Sequence, residues 1–530
     1  MSYPDPPSQP PWTPPGQQPP GPPPPGAAYP QPHYGAPRKN RTWMIPVAGV
    51  AGVALMASSV WAANHVMDDL FVGPQPETVL PASSVMFAKL DLRPSGGQLA
   101  NYAQFVDKLP DELRDEVDPE SDPAEPIFDE LLLDGTDLRY ERDVQSWFGQ
   151  RFGFAMWPAD NEDAAVDDDG LAMALALAVE DEGAAEETLD ELRGEWDDLY
   201  YEIDGDFAIL STSDAALDEH AAQVDRGTLA DESDFSADMN AVGGDSLAAA
   251  WLDLEALSEL DLGTGGSGYG TDPWNEDPWG GSDPFSEFEE ATGRMAMALK
   301  VEADYVELRG DMFDVTVDGV SMSEYEVEAP GIDVLGELPD NTVMAMGGNN
   351  LEQWVSQAWE DDPDAFAELG IDDAMTELGV DPPEGFADLL GSRTAFGITD
   401  FDGMFDSTGV RSSDPSFQYR ATGAEAGVLE EIVTEAGQGG YGSAPGVDTE
   451  GDTTVVSYGR TGTGRLGDDP LYQQAMQDMA GAGMGFYLDL RAVAEEDGTH
   501  GADQFGAIGA AMSLDGDNAS FQARWAPSGG

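Results

Sequence analysis

GTLADESDFSADM, residues 227–239, and GRLGDDPLYQQAM, residues 464–476, are two versions of one segment, and they decide how the chain is organised. In both, an aromatic residue is followed four positions later by methionine. Residues four apart lie on one face of a helix. Each segment is therefore predicted to be a loop that enters a short helix, whose aromatic and methionine side chains pack together.

Further pairs of similar segments occur in the same order in both parts of the chain. They are LPASSVM and LPDNTVM from Leu80 and Leu338, FGQR and LGSR from Phe148 and Leu390, DGDFAILS and EGDTTVVS from Asp204 and Glu450, AWLDL and FYLDL from Ala250 and Phe486, and RMAMALKVEADYVELRG and IGAAMSLDGDNASFQAR from Arg294 and Ile508. A collinear series of this kind indicates an internal duplication, and its long period excludes a solenoid. The predicted units are 78–330 and 331–528.

Each unit combines short β-like runs with amphipathic helices. The first strand (VMFAKLDL or VMAMGG) is followed by a segment with apolar residues at helical spacing, and LAMALALAV and SFQYR are further strands, each leading into a Glu-rich helix. The DGD and EGD turns fit hairpin loops. The predicted fold class is therefore α+β, with two tandem duplicated α+β units and mainly antiparallel sheets.

A tail and an apolar segment precede the two units. Residues 1–42 are Pro-rich and predicted to be a disordered cytoplasmic tail, since such sequences cannot bury a core. Residues 43–64 are uncharged up to Asn64 and long enough for a transmembrane helix, with Trp43 and Trp61 near its two membrane interfaces. Basic residues precede it, which predicts a cytoplasmic N-terminus, a linker at 65–77 and an extracytoplasmic remainder.

The composition limits the chemistry. The chain has 530 residues, a net charge of −82, no cysteine and four histidines. Disulfides and cysteine nucleophiles are excluded, a histidine-based zinc site or Ser-His-Asp triad is poorly supplied, and nucleic-acid phosphates would be repelled. The acidic residues are dispersed, which favours a hydrated surface suited to high salt over divalent-cation binding.

Basic residues are scarce, so a basic residue found in both units is informative. Arg151 and Arg393 each follow a glycine by two positions at the edge of a β-like run. One interpretation is an internal ion pair that fixes this turn. The other is an anion or carboxylate anchor on an otherwise repulsive surface. These two arginines are the candidate anion anchors.

Other motifs carry little weight. Gly263, Gly265 and Gly268 match the dinucleotide fingerprint, but no helix pattern follows them. They lie in a Gly-, Asp- and Trp-rich stretch, residues 262–288, which is predicted to be a surface loop inserted in the first unit. No catalytic residue, cofactor or metal ligand is predicted, and Ca²⁺ has no supporting motif.

The Pro-rich tail, the apolar span, the LP-x-x-[ST]-V strand starts, the DLRPSGG run from Asp91 and the G-x-L-x-D-[DE] helix starts resemble the bacterial domain-of-unknown-function family 3352. The resemblance covers most of residues 78–528. It implies a membrane-anchored extracytoplasmic protein of the cell envelope and implies no activity.

The predicted function is that of a non-catalytic single-pass membrane protein whose highly acidic extracytoplasmic region binds a partner or acts as a scaffold. One alternative is a carrier or sensor of an apolar or lipid ligand, and another is a hydrolase that depends on a divalent cation. The predicted partners are a membrane, through one helix, and a protein that contacts the Pro-rich tail or the ectodomain.

Overall fold

A computed structural model describes the chain from residue 74 to residue 529 with gaps. The described ranges are 74–92, 101, 104–116, 122, 124–166, 170–196, 198–243, 246–258, 291–317, 320–325, 328–361, 375, 380–383, 385–400, 416–438, 445–496 and 498–529. The predicted tail (1–42), the predicted span (43–64) and the loop at 262–288 lie outside these ranges.

The first half of the sheet is antiparallel throughout and runs in the spatial order β4-β5-β3-β2-β1-β6-β7-β8. Its strands are β1 (Met86–Asp91), β2 (Phe148–Pro158), β3 (Leu171–Val179), β4 (Tyr200–Asp204), β5 (Phe207–Ser211), β6 (Ala248–Asp253), β7 (Ala291–Val301) and β8 (Val306–Val317). In β3, alanines alternate with larger apolar residues, which places the two sets on opposite faces of the sheet.

The second half repeats this order as β13-β14-β12-β11-β10-β15-β16-β17. A short strand, β9 (Val320–Ser321), first extends β8 by a hairpin. The others are β10 (Met344–Asn349), β11 (Arg393–Asp400), β12 (Ser416–Thr422), β13 (Gly446–Glu450), β14 (Thr453–Tyr458), β15 (Met484–Asp489), β16 (Ala507–Asp515) and β17 (Asn518–Ala526).

The two halves join edge to edge, because β8 and β17 pair in antiparallel register. Arg309 and Gln522 lie opposite each other, and they occupy equivalent positions in the two halves. A pseudo-two-fold axis therefore passes through this pair. All described strands belong to one sheet of 17 strands.

The structure corrects the predicted fold class of one transmembrane helix followed by two tandem α+β units. The described chain is dominated by one continuous antiparallel sheet instead. The physical reason is the unpaired N–H and C=O groups that a separate unit would expose along its last strand. β8 and β17 satisfy these groups with each other, so neither half has a free edge at the join.

The membrane prediction is corrected as well. The longest described helix has 14 residues, and no described helix is both long and apolar enough to cross a bilayer. Without such a helix in the described chain, three predictions are withdrawn. They are the single-pass topology, the extracytoplasmic function built on it and the location in a cell membrane. The segment that suggested them lies outside the described residues.

Helices lie between the strands. They are α1 (Asp111–Glu116), α2 (Ala124–Phe128), α3 (Glu182–Glu195), α4 (Asp214–Val224), α5 (Ser233–Val242), α6 (Leu254–Ser258), α7 (Leu351–Asp361), α8 (Gly385–Leu390), α9 (Ala426–Gln438), α10 (Pro470–Ala475) and α11 (Leu490–Glu496). Short 3-10 helices precede α5 at Leu229–Asp231 and α10 at Leu466–Asp468. These are the segments quoted at the start.

One face of the sheet, hereafter the α5/α10 face, is packed in both halves by the repeated segments. The Phe235 ring of α5 lies edge-on to Phe87 at 5.1 Å and to Trp251 at 5.5 Å. In the second half, Tyr472 of α10 packs on Tyr487 at 5.2 Å. The aromatic position of each segment therefore serves as core for its own half.

For the last pair of repeated segments, the equivalence given by the strand ladders differs by one residue from the equivalence given by aligning the two sequences. That pairing aligned Arg294 with Ile508. In the ladders, Asp253 lies opposite Arg294, and the equivalent Asp489 lies opposite Ala507. Arg294 therefore corresponds to Ala507. A shift of one residue moves every side chain to the other face, so only the ladder register gives the correct face.

Candidate functional site

Arg151, the first candidate anion anchor, is an internal residue. It is 6% exposed, and its Nε and Nη2 atoms donate to Asp91 Oδ2 at 3.0 and 2.7 Å. Its Nη1 atom donates to the carbonyl of Pro74 at 2.7 Å. All three nitrogens are thus engaged within the protein. This geometry supports the ion-pair interpretation, in which the guanidinium joins β1, β2 and the segment that precedes β1.

Arg393 occupies the equivalent register but finds its acids elsewhere. The residue opposite it in β10 is Asn349, where the first half has Asp91. Its Nη2 atom instead donates to Asp333 at 2.7 Å and to Glu337 at 3.0 Å. Arg420 donates to Glu450 at 2.8 Å and lies 3.7 Å from Glu337, so the two arginines share one carboxylate.

Neither arginine lies in a described cation or catalytic centre. Within the described ranges, no three His, Asp or Glu side chains form a group that could hold a metal ion. Trp43 and Trp61, predicted at membrane interfaces, are outside these ranges. The sequence did not single out Arg420, although it too is a basic residue in a strand of a chain with few basic residues.

The face opposite the α5/α10 face differs between the two halves. We call it the Met346 face, and it carries Met86 and Ala88 in β1 and the equivalent Met344 and Met346 in β10. Met346 is 45% exposed and is the only large hydrophobic side chain of the described chain classed as exposed. Phe396 and Phe486 lie opposite it on the two neighbouring strands.

Four equivalent positions on this face are buried in the first half and half-buried in the second, whereas Met156 is half-buried and its counterpart Ile398 is buried. The buried residues of the first half are Met86, Phe154, Leu175 and Leu299, and their counterparts are Met344, Phe396, Tyr419 and Met512. The side chains at these positions are apolar or aromatic in both halves, so the difference lies in what covers them. The second half therefore leaves these side chains partly accessible to solvent.

The first half supplies its own cover. Phe105 and Leu109, between β1 and β2, are buried against Leu299. Farther along this connection, the Phe128 ring of α2 lies 4.8 Å from Phe148 and 5.3 Å from Phe152. These rings close the face over β2 and the strands around it.

In the second half, α7 and α8 lie beside the open part of the face. Tyr419 points to this face, and its hydroxyl donates to the Leu389 carbonyl of α8 at 2.7 Å. α7 is held to α8 by the Trp359 and Phe386 rings, at 5.9 Å, and by Ser356 Oγ, which donates to the Pro383 carbonyl at 3.4 Å. The two helices therefore border the Met346 face.

Glu352 lies at this border. It precedes Ser356 by four positions and Trp359 by seven, so it shares the side of α7 that is turned toward α8. Its Oε2 atom is buried and has no hydrogen-bond partner among the described residues. Burial raises the pKa of Glu352. The Glu352 carboxylate is thus partly desolvated and has one unused acceptor.

Several other buried polar groups have packing partners, although Glu219 Oε2 has none among the described residues. Trp157 Nε1 donates to Glu219 at 3.0 Å, and Trp251 Nε1 donates to Asp238 at 3.0 Å. The His220 ring lies within hydrogen-bond distance of the Val79 carbonyl, at 2.8 Å, and burial lowers its pKa. These groups hold helices on the α5/α10 face and do not converge on a common point.

Comparison with known proteins finds no matching family model, no similar curated protein and no similar solved structure. The resemblance to domain-of-unknown-function family 3352 therefore stays a prediction.

Sequence analysis missed both Met346 and Glu352. A signal for Met346 existed, because the repeat aligns it with the smaller Ala88, and a larger apolar residue needs more cover. Nothing in the sequence marks Glu352 among 104 acidic residues. Its Oε2 is buried without a partner, as are Glu77 Oε2 and Glu219 Oε2, and only three-dimensional packing creates this condition.

Proposed function

We propose that this chain is a non-catalytic binding protein whose Met346 face docks a protein partner. The observation that carries the proposal is the contrast between the halves: four apolar positions of this face are buried in the first half and half-buried in the second, where Met346 is exposed. Covering such a face stabilises a complex by about 25 cal/mol per Å² of apolar surface removed from water. The exposed Met346 lies at its centre, between Phe396 and Phe486.

Charge selects the kind of partner. The chain carries a net charge of −82. Such a surface repels nucleic acids, other acidic proteins and a second copy of this chain. The partner that complements it presents an apolar strip with basic side chains along its sides. An amphipathic basic helix has this pattern.

The absence of a catalytic role is part of the proposal. Catalysis needs titratable groups converging on a reacting atom. The described residues with shifted pKa values are dispersed over both faces of the sheet. Among them, the His220 ring is hydrogen-bonded to the Val79 carbonyl. No cofactor is proposed. The Pro-rich tail stays a second predicted contact site for a protein partner, on composition alone.

The test uses a synthetic amphipathic helical peptide with leucines on one face and glutamines on the other. Its affinity is measured by titration calorimetry for the wild-type protein and for Met346→Gln. Replacing the exposed methionine is expected to weaken binding about tenfold, since a buried Met side chain is worth about 1.5–3 kcal/mol.

The matched control is Gln477→Met, which creates an exposed methionine elsewhere on the surface. It is expected to leave the affinity unchanged. If Met346→Gln and wild type bind the peptide equally, the Met346 face is not the docking site.

A further inference from the structure

Met346 is the one methionine of the described chain whose side chain is exposed. It is 45% exposed, whereas the other described methionines, such as Met173 and Met344, are buried or half-buried. The chain contains no cysteine, so no thiol of its own competes for an oxidant. The remaining sulfur is the thioether of methionine, and the susceptibility of a sulfur to oxidants follows its exposure. Within the described chain, a dissolved oxidant therefore reaches Met346 first.

Resting on the proposed function, we propose that Met346 is an oxidation site that controls docking, and that the oxidant is an uncharged hydroperoxide. Methionine sulfoxide at this position releases the partner, and reduction of the sulfoxide restores binding. Charge selects the oxidant, because a chain with a net charge of −82 repels anionic oxidants and does not repel a neutral peroxide.

The chemistry balances with hydrogen peroxide as the co-reactant. The sulfur of Met346 attacks one peroxide oxygen, so that an S–O bond forms while the O–O bond breaks. The departing hydroxide takes the proton from the transferred oxygen and becomes water, and the sulfur loses the two electrons that the peroxide gains. Reduction needs two thiols from a separate sulfoxide reductase, since this chain has none. Their oxidation to a disulfide releases the sulfoxide oxygen as water.

The position of Met346 makes its oxidation felt in the complex and not in the fold. Met346 lies opposite Phe396 and Phe486, whose rings offer no hydrogen-bond donor. A docked apolar surface would therefore remove the sulfoxide from water without replacing its hydrogen bonds, which costs free energy. In the free protein the exposed sulfoxide keeps its water. Oxidation of a fully buried methionine such as Met173 would instead disrupt the core.

The duplication confines this site to the second half. The counterpart of Met346 in β1 is Ala88, which has no sulfur. The neighbouring position on the same face carries methionine in both halves, but Met86 is buried and Met344 is half-buried. Of these two positions, the one that differs between the halves is therefore the one that is exposed and oxidisable.

The first measurement maps the oxidation. The full chain is treated with hydrogen peroxide for increasing times, the peroxide is removed with catalase, and the unfolded protein is cleaved after glutamate. Cleavage after Glu337 and Glu352 yields residues 338–352, which contain both Met344 and Met346. Tandem mass spectrometry compares the two methionines within this one peptide. We expect Met346 to be oxidised severalfold faster than Met344, because it is the more exposed of the two.

The second measurement is docking of the leucine–glutamine peptide described above, which contains no sulfur. Titration calorimetry compares wild type before and after a peroxide dose that modifies Met346 and spares Met344. We expect oxidation to weaken binding about tenfold, the change expected for Met346→Gln. Treatment with sulfoxide reductases for both sulfoxide epimers and dithiothreitol should restore the affinity. Circular dichroism of the oxidised protein should match that of the untreated protein.

The matched control is the double variant Met346→Leu with Gln477→Met, which moves the exposed methionine to a position elsewhere on the surface. Its new methionine should be oxidised as readily as Met346 is in wild type. The affinity of the double variant for the peptide should nevertheless be the same before and after peroxide, whatever its starting value.

The two proposals fail in different ways. The oxidation site is overturned, and the docking face stands, if Met344 is oxidised as fast as Met346 or if oxidised wild type keeps its affinity while Met346→Gln loses it. An equal loss in the peroxide-treated double variant also overturns the oxidation site, since another methionine would then cause it. If Met346→Gln binds the peptide as wild type does, the proposed function is overturned, and its control by oxidation with it.

Discussion

Arg524 is a buried charged side chain, and its contacts indicate how much one buried charge contributes to the stability of the fold. It is 2% exposed, its Nη2 atom donates to Glu307 at 2.6 Å, and its guanidinium lies 4.0 Å from the centre of the Tyr305 ring. Nη1 donates to the Gln477 carbonyl at 2.7 Å. Since Arg524 and Glu307 lie opposite each other in β17 and β8, this pair bridges the two halves of the sheet.

Arg524→Met is expected to lower the free energy of unfolding by about 3–5 kcal/mol, because the largely buried Glu307 would lose its countercharge and keep only the hydrogen bond from Gln522. Urea denaturation followed by circular dichroism measures the loss. Arg193→Met is the control: its pair with Asp190 is about half exposed, so its loss should be about 0–1 kcal/mol. Equal losses in the two variants would contradict the assignment.

His220 provides a pH prediction. Burial lowers its pKa from 6.5, against the opposing effects of the Val79 carbonyl and the charge of Asp204. The neutral ring is therefore favoured by folding. Its contribution to stability is fully present above the unfolded pKa of about 6.5 and is lost as the pH falls through the lowered folded value.

The free energy of unfolding should therefore decrease from about pH 7 to about pH 5, and the decrease should be smaller in His220→Gln. Denaturation curves at matched ionic strength measure both slopes. A variant whose stability falls as steeply as that of wild type would show that other groups, and not His220, cause the decrease.

Side-chain roles were only partly visible in the sequence. The scarcity of basic residues pointed to Arg151 and Arg393, and both are in ion pairs within the protein. Arg524 is also one of the few basic residues and has a more central place, but no sequence pattern separates it from other strand residues. The burial of Arg524 depends on the pairing of β17 with β8, a strand from a distant part of the chain.

At the scale of the elements, the join between β8 and β17 is the contact on which the architecture depends. Gly310 lies opposite Phe521 in this ladder. A Cβ atom at Gly310 would overlap the Phe521 ring. The join therefore needs a residue without a side chain at this position, so that the ring can lie across the neighbouring strand.

Gly310→Ala is expected to lower the midpoint of thermal unfolding, with a cost of about 1–3 kcal/mol for overpacking. Gly194→Ala is the matched control, because Gly194 lies in α3 with open space around its Cα. That variant should be more stable than wild type by about 0.5–1 kcal/mol, since alanine favours helices. Destabilisation by both variants would mean that the loss at Gly310 is not specific to the join.

The order of elements was readable because local patterns repeat: a turn, a strand and a capped helix recur together in both parts of the chain. The partner of the last strand in each half was not readable. β8 and β17 look alike as isolated strands, and an edge strand offers the same backbone groups to any partner. The pairing of β8 with β17 joins segments far apart in the chain, so no local sequence pattern predicts it.

At the scale of the whole molecule, the net charge of −82 produces strong self-repulsion. Raising NaCl shortens the screening length from about 10 Å at 0.1 M to about 3 Å at 1 M. We therefore expect the midpoint of thermal unfolding to rise with NaCl, as measured by differential scanning calorimetry. CaCl₂ at equal ionic strength should have about the same effect.

A much larger rise with CaCl₂ at low concentration would contradict this prediction and indicate site-specific binding of the cation. A fall in the midpoint with NaCl would contradict it in another way, since it would mean that attractive ion pairs such as Arg151 with Asp91 outweigh the repulsion.

The pseudo-two-fold axis through Arg309 and Gln522 has a consequence for valency. Equivalent strands paired across a two-fold axis form the isologous contact of a symmetric dimer, in which both copies must display the same surface. Here the halves share one chain, so each can carry different residues. A symmetric dimer with Met346 at this position would offer two copies of the proposed docking face, whereas this chain, with Ala88 in its place in the first half, would offer one.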